Sequence, residues 1–184
     1  EISINTLENL TGKKIRMFRA PSFSITKDSL WAFDILAEYG IEIDCSIFPA
    51  NRLNGGIKEI NNNSPFIINY NGIQLKEFPV SYSTFFNSKI VSNGGGYFRF
   101  FPEFLINRLI KKSSYNMSYF HPRDFDYYQP RLNNLSMFNY FKSYVGLKNC
   151  YNKLEKILND YEFKDVSHFD ELIKWNNVQV IDLQ

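Results

Sequence analysis

Two histidines and two cysteines are all the soft metal ligands that this chain of 184 residues carries. Cys45 and Cys150 lie far apart and form no Cys-x-x-Cys pair, which excludes a disulfide framework and a zinc knuckle and leaves the redox compartment open. His121 and His168 are distant too, with no carboxylate pair near either at metal-binding spacing. Charge of one sign is also missing. With 21 basic against 19 acidic residues the net charge is +2, and no basic stripe marks a nucleic-acid partner. No apolar run approaches membrane-spanning length, and there is no internal repeat. The chain opens on Glu1, so a targeting signal would not be visible in this sequence.

What is present fits one domain or a large piece of one, long enough to bury a core. A hydrophobic share of 44% with 22% charged residues is ordinary for a globular protein. The aromatic content, with 18 Phe and 12 Tyr, is high and fits either a ring-rich core or a sugar-stacking groove.

Residues 4–10 predict the last turns of a helix ended by Gly12, and "KIRMF" (14–18) a short strand. "TKDSLWAFDILAEYG" (26–40) carries the strongest helical pattern, with Thr26 as N-cap and Gly40 at its close. "IEIDCSIF" (41–48) then reads as a strand, which completes a βαβ unit and implies a parallel sheet or barrel. A polar, Asn/Gly-rich loop follows at 50–64, then a hairpin at 65–80 turning at Asn71-Gly72. "GGGYFRFF" (94–101) leads into a helix at 102–112, with Pro102 at its first position, and "MSYFH" (117–121) reads as a strand stopped by Pro122. From about 135 the pattern is mainly helical, with helices at 147–161 and from near Ser167, which would cap a first turn holding a solvent-facing His168. Trp31 and Trp175 sit in helical context and are expected to pack.

Polar groups close three of these strands: Arg19 follows "KIRMF", Asp44 closes "IEID", and His121 closes "MSYF". That end of the strands is where α/β barrels keep their active sites. Each also has a plain structural role open to it: an ion pair for Arg19, a turn cap for Asp44, a satisfied hydrogen bond for His121. Gly94–Gly96 allow close backbone approach or a turn of positive φ, and Arg99 could meet an anionic glycan group or a neighbouring acid.

The order "FRAPSFSIT…LWAFDILAEYGIEIDCSIFP", "EFPVS", "GGGYFR", "FHPRDFDYYQPR" resembles the polysaccharide deacetylase (NodB-homology) family from about residue 5 to 165, in the branch with a C-terminal extension found in exopolysaccharide and surface-glycan clusters of bacteria. The resemblance implies an α/β fold: the C-terminal portion of a distorted (β/α) barrel over residues 1–128, with a helical extension at 129–184 packed on it. It implies deacetylation of N-acetylated sugars in an oligosaccharide or polysaccharide, helped by a divalent metal, usually zinc. Arg19 then resembles the arginine that orients a base aspartate, with Pro21 shaping its turn. His121 resembles the general acid, and Asp44 an acid supporting that end of the site. Pro21, Phe23, Gly95, Tyr97, Arg99 and Asp124 are expected on the substrate side.

The family's paired aspartates and its His-x-x-x-His metal ligands precede the arginine, whereas the eighteen residues before Arg19 contain neither aspartate nor histidine. The expectation is therefore a C-terminal part of an enzyme, holding no metal itself, inactive alone, and prone to oligomerise through open sheet edges. His121-Pro122-Arg123-Asp124 replaces the family's usual His-Pro-Trp-Glu, which leaves the choice of sugar open. The alternatives are a non-catalytic carbohydrate-binding or scaffolding homologue and a structural α/β partner subunit. The resemblance implies a cytoplasmic or cell-envelope setting without choosing between them.

Overall fold

The computed structural model describes residues 1–50, 55–85 and 88–184, so the loop expected at 50–64 is seen from Gly55 on and residues 51–54 lie outside the described residues. The chain divides into two compact units, Glu1–Val80 with Leu172–Gln184, and Ser81–Glu171. The fold is mixed α/β, with parallel strand pairs in its main sheet.

The first unit is built on a five-stranded sheet. Strands β1 (Met17–Phe18), β2 (Ile43–Asp44), β3 (Phe66–Tyr70), β4 (Ile73–Glu77) and β7 (Val180–Asp182) lie in the order β1-β2-β4-β3-β7. β1 pairs parallel with β2, and β2 parallel with β4 in a register that sets Asp44 opposite Glu77. The β3–β4 hairpin turns at Asn71 (φ 49°) and Gly72 (φ 80°), the two left-handed residues that a tight primed turn demands. Helix α1 (Ile2–Thr11) precedes β1, and α2 (Ala32–Glu38) crosses from β1 to β2.

The sequence pattern explains these elements. Thr26 and Ser29 form a capping box, though the first turn at Lys27–Ser29 is a 3-10 helix and the α-helix proper starts at Ala32. Leu30, Phe33 and Leu36 bury the inner face of this segment against Phe66, Ile68 and Leu75 of the hairpin. Residues at alternate positions of β4 point inward, so Leu75 and Glu77 are both buried.

Both expected strands of the βαβ unit prove shorter than the sequence suggests, two residues each. Ile47 and Phe48 are apolar because they are buried, while their backbone runs extended outside the ladder. Trp175 packs edge-on against Phe78 at 5.6 Å, whereas Trp31 is more than half exposed, contrary to the packing role expected of it.

The second unit holds a two-stranded ribbon, β5 (Ser83–Phe85) with β6 (Ser88–Ile90), and helices α3 (Gly95–Phe100), α4 (Glu103–Lys112), α5 (Met137–Tyr144), α6 (Leu147–Asp160) and α7 (Val166–Leu172), the last ending at the unit's boundary. Phe98, Ile106, Cys150 and Ile157 form its buried centre. The glycine-rich segment expected as a lead-in is itself helix α3, because Lys153 of α6 donates to the carbonyls of Phe98, Arg99 and Phe101 and satisfies its C-terminal end. Pro102 is the N-cap of α4 rather than its first residue. "MSYFH" forms no strand, only a single bridge from Tyr119 to Gly94. His168 is exposed as expected, but Asp165, not Ser167, accepts its N–H.

Candidate functional site

In the first unit the strand ends carry a continuous buried polar network. Asp44 and Glu77 close the adjacent strands β2 and β4, and both are fully buried. Asp44 turns back on its own chain: Oδ2 accepts the Ser46 N–H at 3.1 Å and Oδ1 accepts the Ser46 hydroxyl at 2.6 Å. That hydroxyl in turn accepts the Ala20 N–H at 2.7 Å, which ties the end of β1 to the turn after β2. Glu77 Oε1 accepts the Ile47 N–H at 3.0 Å, and Oε2 has no hydrogen-bond donor among the described residues.

Burial pushes Glu77 well above the ordinary carboxylate value, and the neighbouring charge of Asp44 adds to this. Burial also raises Asp44, while bonds to Glu77 and Ser46 pull it down. Two acids facing each other in so dry a place share one proton. Glu77 is the member that holds it, and its side-chain bond to Asp44 lowers Asp44 in turn.

Arg19 rests on this network. Its Nε donates to the Cys45 carbonyl at 3.1 Å, and its guanidinium carbon lies 5.6 Å from the centre of the Phe23 ring. Phe23 is buried against Phe48 and belongs to a one-turn helix, Pro21–Phe23, in which both Ser22 (φ 58°) and Phe23 (φ 53°) are left-handed. Such a conformation is costly for non-glycine residues and persists only where the surroundings enforce it. Gly55 helps to enforce it, since a Cβ there would stand 2.2 Å from the Phe23 carbonyl oxygen. The result is a fixed guanidinium at a strand end, a shape suited to gripping a carboxylate.

In the second unit His121, Asp124 and Arg99 come together. Asp124 Oδ2 accepts the His121 N–H at 3.0 Å and lies 3.8 Å from His121 Nδ1, while Oδ1 meets Arg99 Nε at 3.2 Å in an ion contact too bent for a good hydrogen bond. Arg99 also donates to the carbonyls of Lys142, Ser143 and Val145 at the end of α5. The His121 side chain is mostly exposed, and the other two are buried.

Of the residues expected on the substrate side, Pro21 and Tyr97 are exposed, while Phe23, Arg99 and Asp124 are buried. Gly95 is left-handed beside Tyr119. Arg19 and Asp44 belong to the first unit, and His121, Asp124, Arg99 and Tyr97 to the second.

A family model described as a domain of unknown function, DUF3473, matches residues 45–171, more than half of the chain. The chain belongs to the DUF3473 family. No curated protein and no solved structure matches it. The DUF3473 match takes in Glu77, Arg99, His121 and Asp124, while Arg19 and Asp44 precede it.

Among the described residues of this DUF3473 chain no group of three or more His, Cys, Asp or Glu could hold a metal ion, so these residues do not fit the zinc site that the resemblance implies. Glu77 and Ser46 are the members of the network that motif reading overlooks. The signal for Glu77 was present: it follows Ile73 and Leu75 at the inward positions of a strand, where a carboxyl is out of place.

Proposed function

We propose that this chain is the later part of a polysaccharide-deacetylase-type barrel that removes acetyl groups from N-acetylated sugars of a polysaccharide or surface glycan. The reaction adds water across the amide: the C–N bond breaks, acetate leaves, and the sugar nitrogen takes a proton. His121, whose backbone N–H is held by Asp124, is the donor of that proton, and Arg19 orients the carboxylate that takes a proton from water. That carboxylate and the metal are assigned to polypeptide outside this sequence, and no step is derived through them.

The observation that carries this proposal is Arg19, set at the end of β1 by the strained Pro21–Phe23 turn and tied through Cys45 to the turn beyond Asp44. A guanidinium braced this firmly and still reaching solvent is suited to act on something outside the network. The motif order supports the assignment of reaction type.

The test is acetate release from an N-acetylated oligosaccharide by the complete gene product. His121→Ala should lower kcat by roughly a hundredfold or more with little change in KM. Activity near wild type would remove His121 from the acid role. Glycan binding without any acetate release would favour the non-catalytic carbohydrate-binding homologue.

A further inference from the structure

The stretch from Tyr127 through Leu154 contains no Asp or Glu, although the chain has 19 acids in all. Arg131, Lys142, Lys148 and Lys153 fall within it. Lys153 is taken up by the carbonyls at the end of α3, but Arg131, Lys142 and Lys148 meet no carboxylate among the described residues. The same stretch displays large apolar side chains to solvent: Met137 and Tyr128 are each 91% exposed, Phe138 64% and Leu132 58%. Helix α5 has no buried residue at all. An open groove of about 600 Å³ runs beside it, lined by Arg131, Leu135, Met137, Tyr140 and Phe141. Exposed apolar side chains gathered along one helix and its groove mark a contact face.

We propose that this face docks on an anionic lipid surface, with α5 lying in the headgroup region. The cations and the rings are already paired as an interfacial site would pair them. Lys142 Nζ stands 4.3 Å over the Phe138 ring, and the Arg131 guanidinium 4.3 Å over Tyr144. Each pair sets a positive charge at the margin of an apolar body, the arrangement that lets rings and Met137 enter the acyl boundary while the charge meets lipid phosphate.

The same pairing disfavours a sugar or a nucleic-acid base, which stacks on an open ring face, because a cation already stands over one face of Phe138 and of Tyr144. No helix here is long and apolar enough to cross a membrane among the described residues, so the contact is peripheral.

Co-sedimentation of the full chain with vesicles tests this. Binding is expected with phosphatidylcholine vesicles enriched in phosphatidylglycerol, weakening as salt is raised, and not with phosphatidylcholine alone. Lys142→Gln with Lys148→Gln should weaken it roughly twenty-five-fold, about fivefold for each charge. Met137→Ser with Phe138→Ser should abolish it while the circular dichroism spectrum stays native, since both side chains lie in solvent. Equal binding to both vesicle types, no binding to either, or binding untouched by these substitutions would overturn the proposal. So would preferential capture of a single-stranded oligonucleotide or an N-acetylated oligosaccharide that the same substitutions abolish.

Discussion

Glu77 offers the sharpest test of the buried network. In Glu77→Gln the amide keeps the shape, still accepts the Ile47 N–H, and supplies Asp44 with the N–H that replaces the shared proton. In Glu77→Ala the Ile47 N–H loses its acceptor and Asp44 is left buried without its proton-sharing partner. The folded protein holds the Glu77 proton more tightly than the unfolded chain, because burial and Asp44 raise its pKa well above 4.5. Its contribution is therefore fully present at low pH and is lost as pH rises from about 4.5 toward the folded-state value.

While one group is protonated in the folded state and ionised in the unfolded one, each pH unit costs wild type about 1.4 kcal/mol that the glutamine variant does not lose. Against a total stability on the order of 5–15 kcal/mol this is easily seen. The alanine variant should lose about 1–3 kcal/mol, the usual effect of leaving a buried hydrogen-bonding group without its partner. Urea unfolding between pH 5 and 8, followed by fluorescence of Trp175 against Phe78 and by circular dichroism, measures all three proteins. Wild type and Glu77→Gln should diverge as pH rises above about 4.5, until the folded-state value of Glu77 is reached. Parallel curves, or a glutamine variant as damaged as the alanine one, would refute the shared proton.

Other substitutions probe other joints. Gly94→Ala places a Cβ 2.1 Å from the Tyr119 carbonyl oxygen and should cost at least 1–3 kcal/mol by thermal melting. Gly72→Ala meets open space but keeps a φ of 80°, so its cost should stay near 1–2 kcal/mol. Arg99→Met leaves Asp124 buried without its cation and frees three carbonyls at the end of α5; a loss of about 3–5 kcal/mol is expected, with the Arg99→Met, Asp124→Asn double variant losing less than the sum. Burial pushes both the Cys45 and Cys150 thiols up to about 11, so neither should react with a thiol reagent at pH 8 until the protein unfolds; prompt labelling of the native chain would contradict their placement.

The elements legible in the sequence are those whose signals are local. The Thr26 cap, the Asn71-Gly72 turn and the helical spacing of 147–160 each settle their own segment. The segments misjudged are decided from afar. β7 pairs with β3 from far along the chain; its Val/Ile-rich run after Asn177 is a strand signal, but too short to stand out beside the helices before it. The residues of α3 are glycine-rich and poorly disposed to a helix, yet Lys153, fifty residues on, satisfies its end. The run at 41–48 is apolar for the sake of the core, and burial alone does not make a ladder.

The candidate site divides in the same way. Arg19, Asp44 and His121 stand out because polar groups interrupt apolar runs at strand ends or beside proline. Their supports do not, since those are fixed by register: Glu77 meets Asp44 only because β2 and β4 pair in parallel, and Asp124 meets Arg99 across a turn and a helix. Yet the two units arrive at one design. In each, a buried acid spends its oxygens on a backbone N–H and on polar side chains, and a solvent-facing residue rests on the backbone it holds: Arg19 on the turn that Asp44 closes, His121 on Asp124 directly. An acid so committed is a poor nucleophile or base itself. Replacing Asp44 should therefore loosen the turn at Cys45 and Ser46 and disturb where the Arg19 guanidinium points.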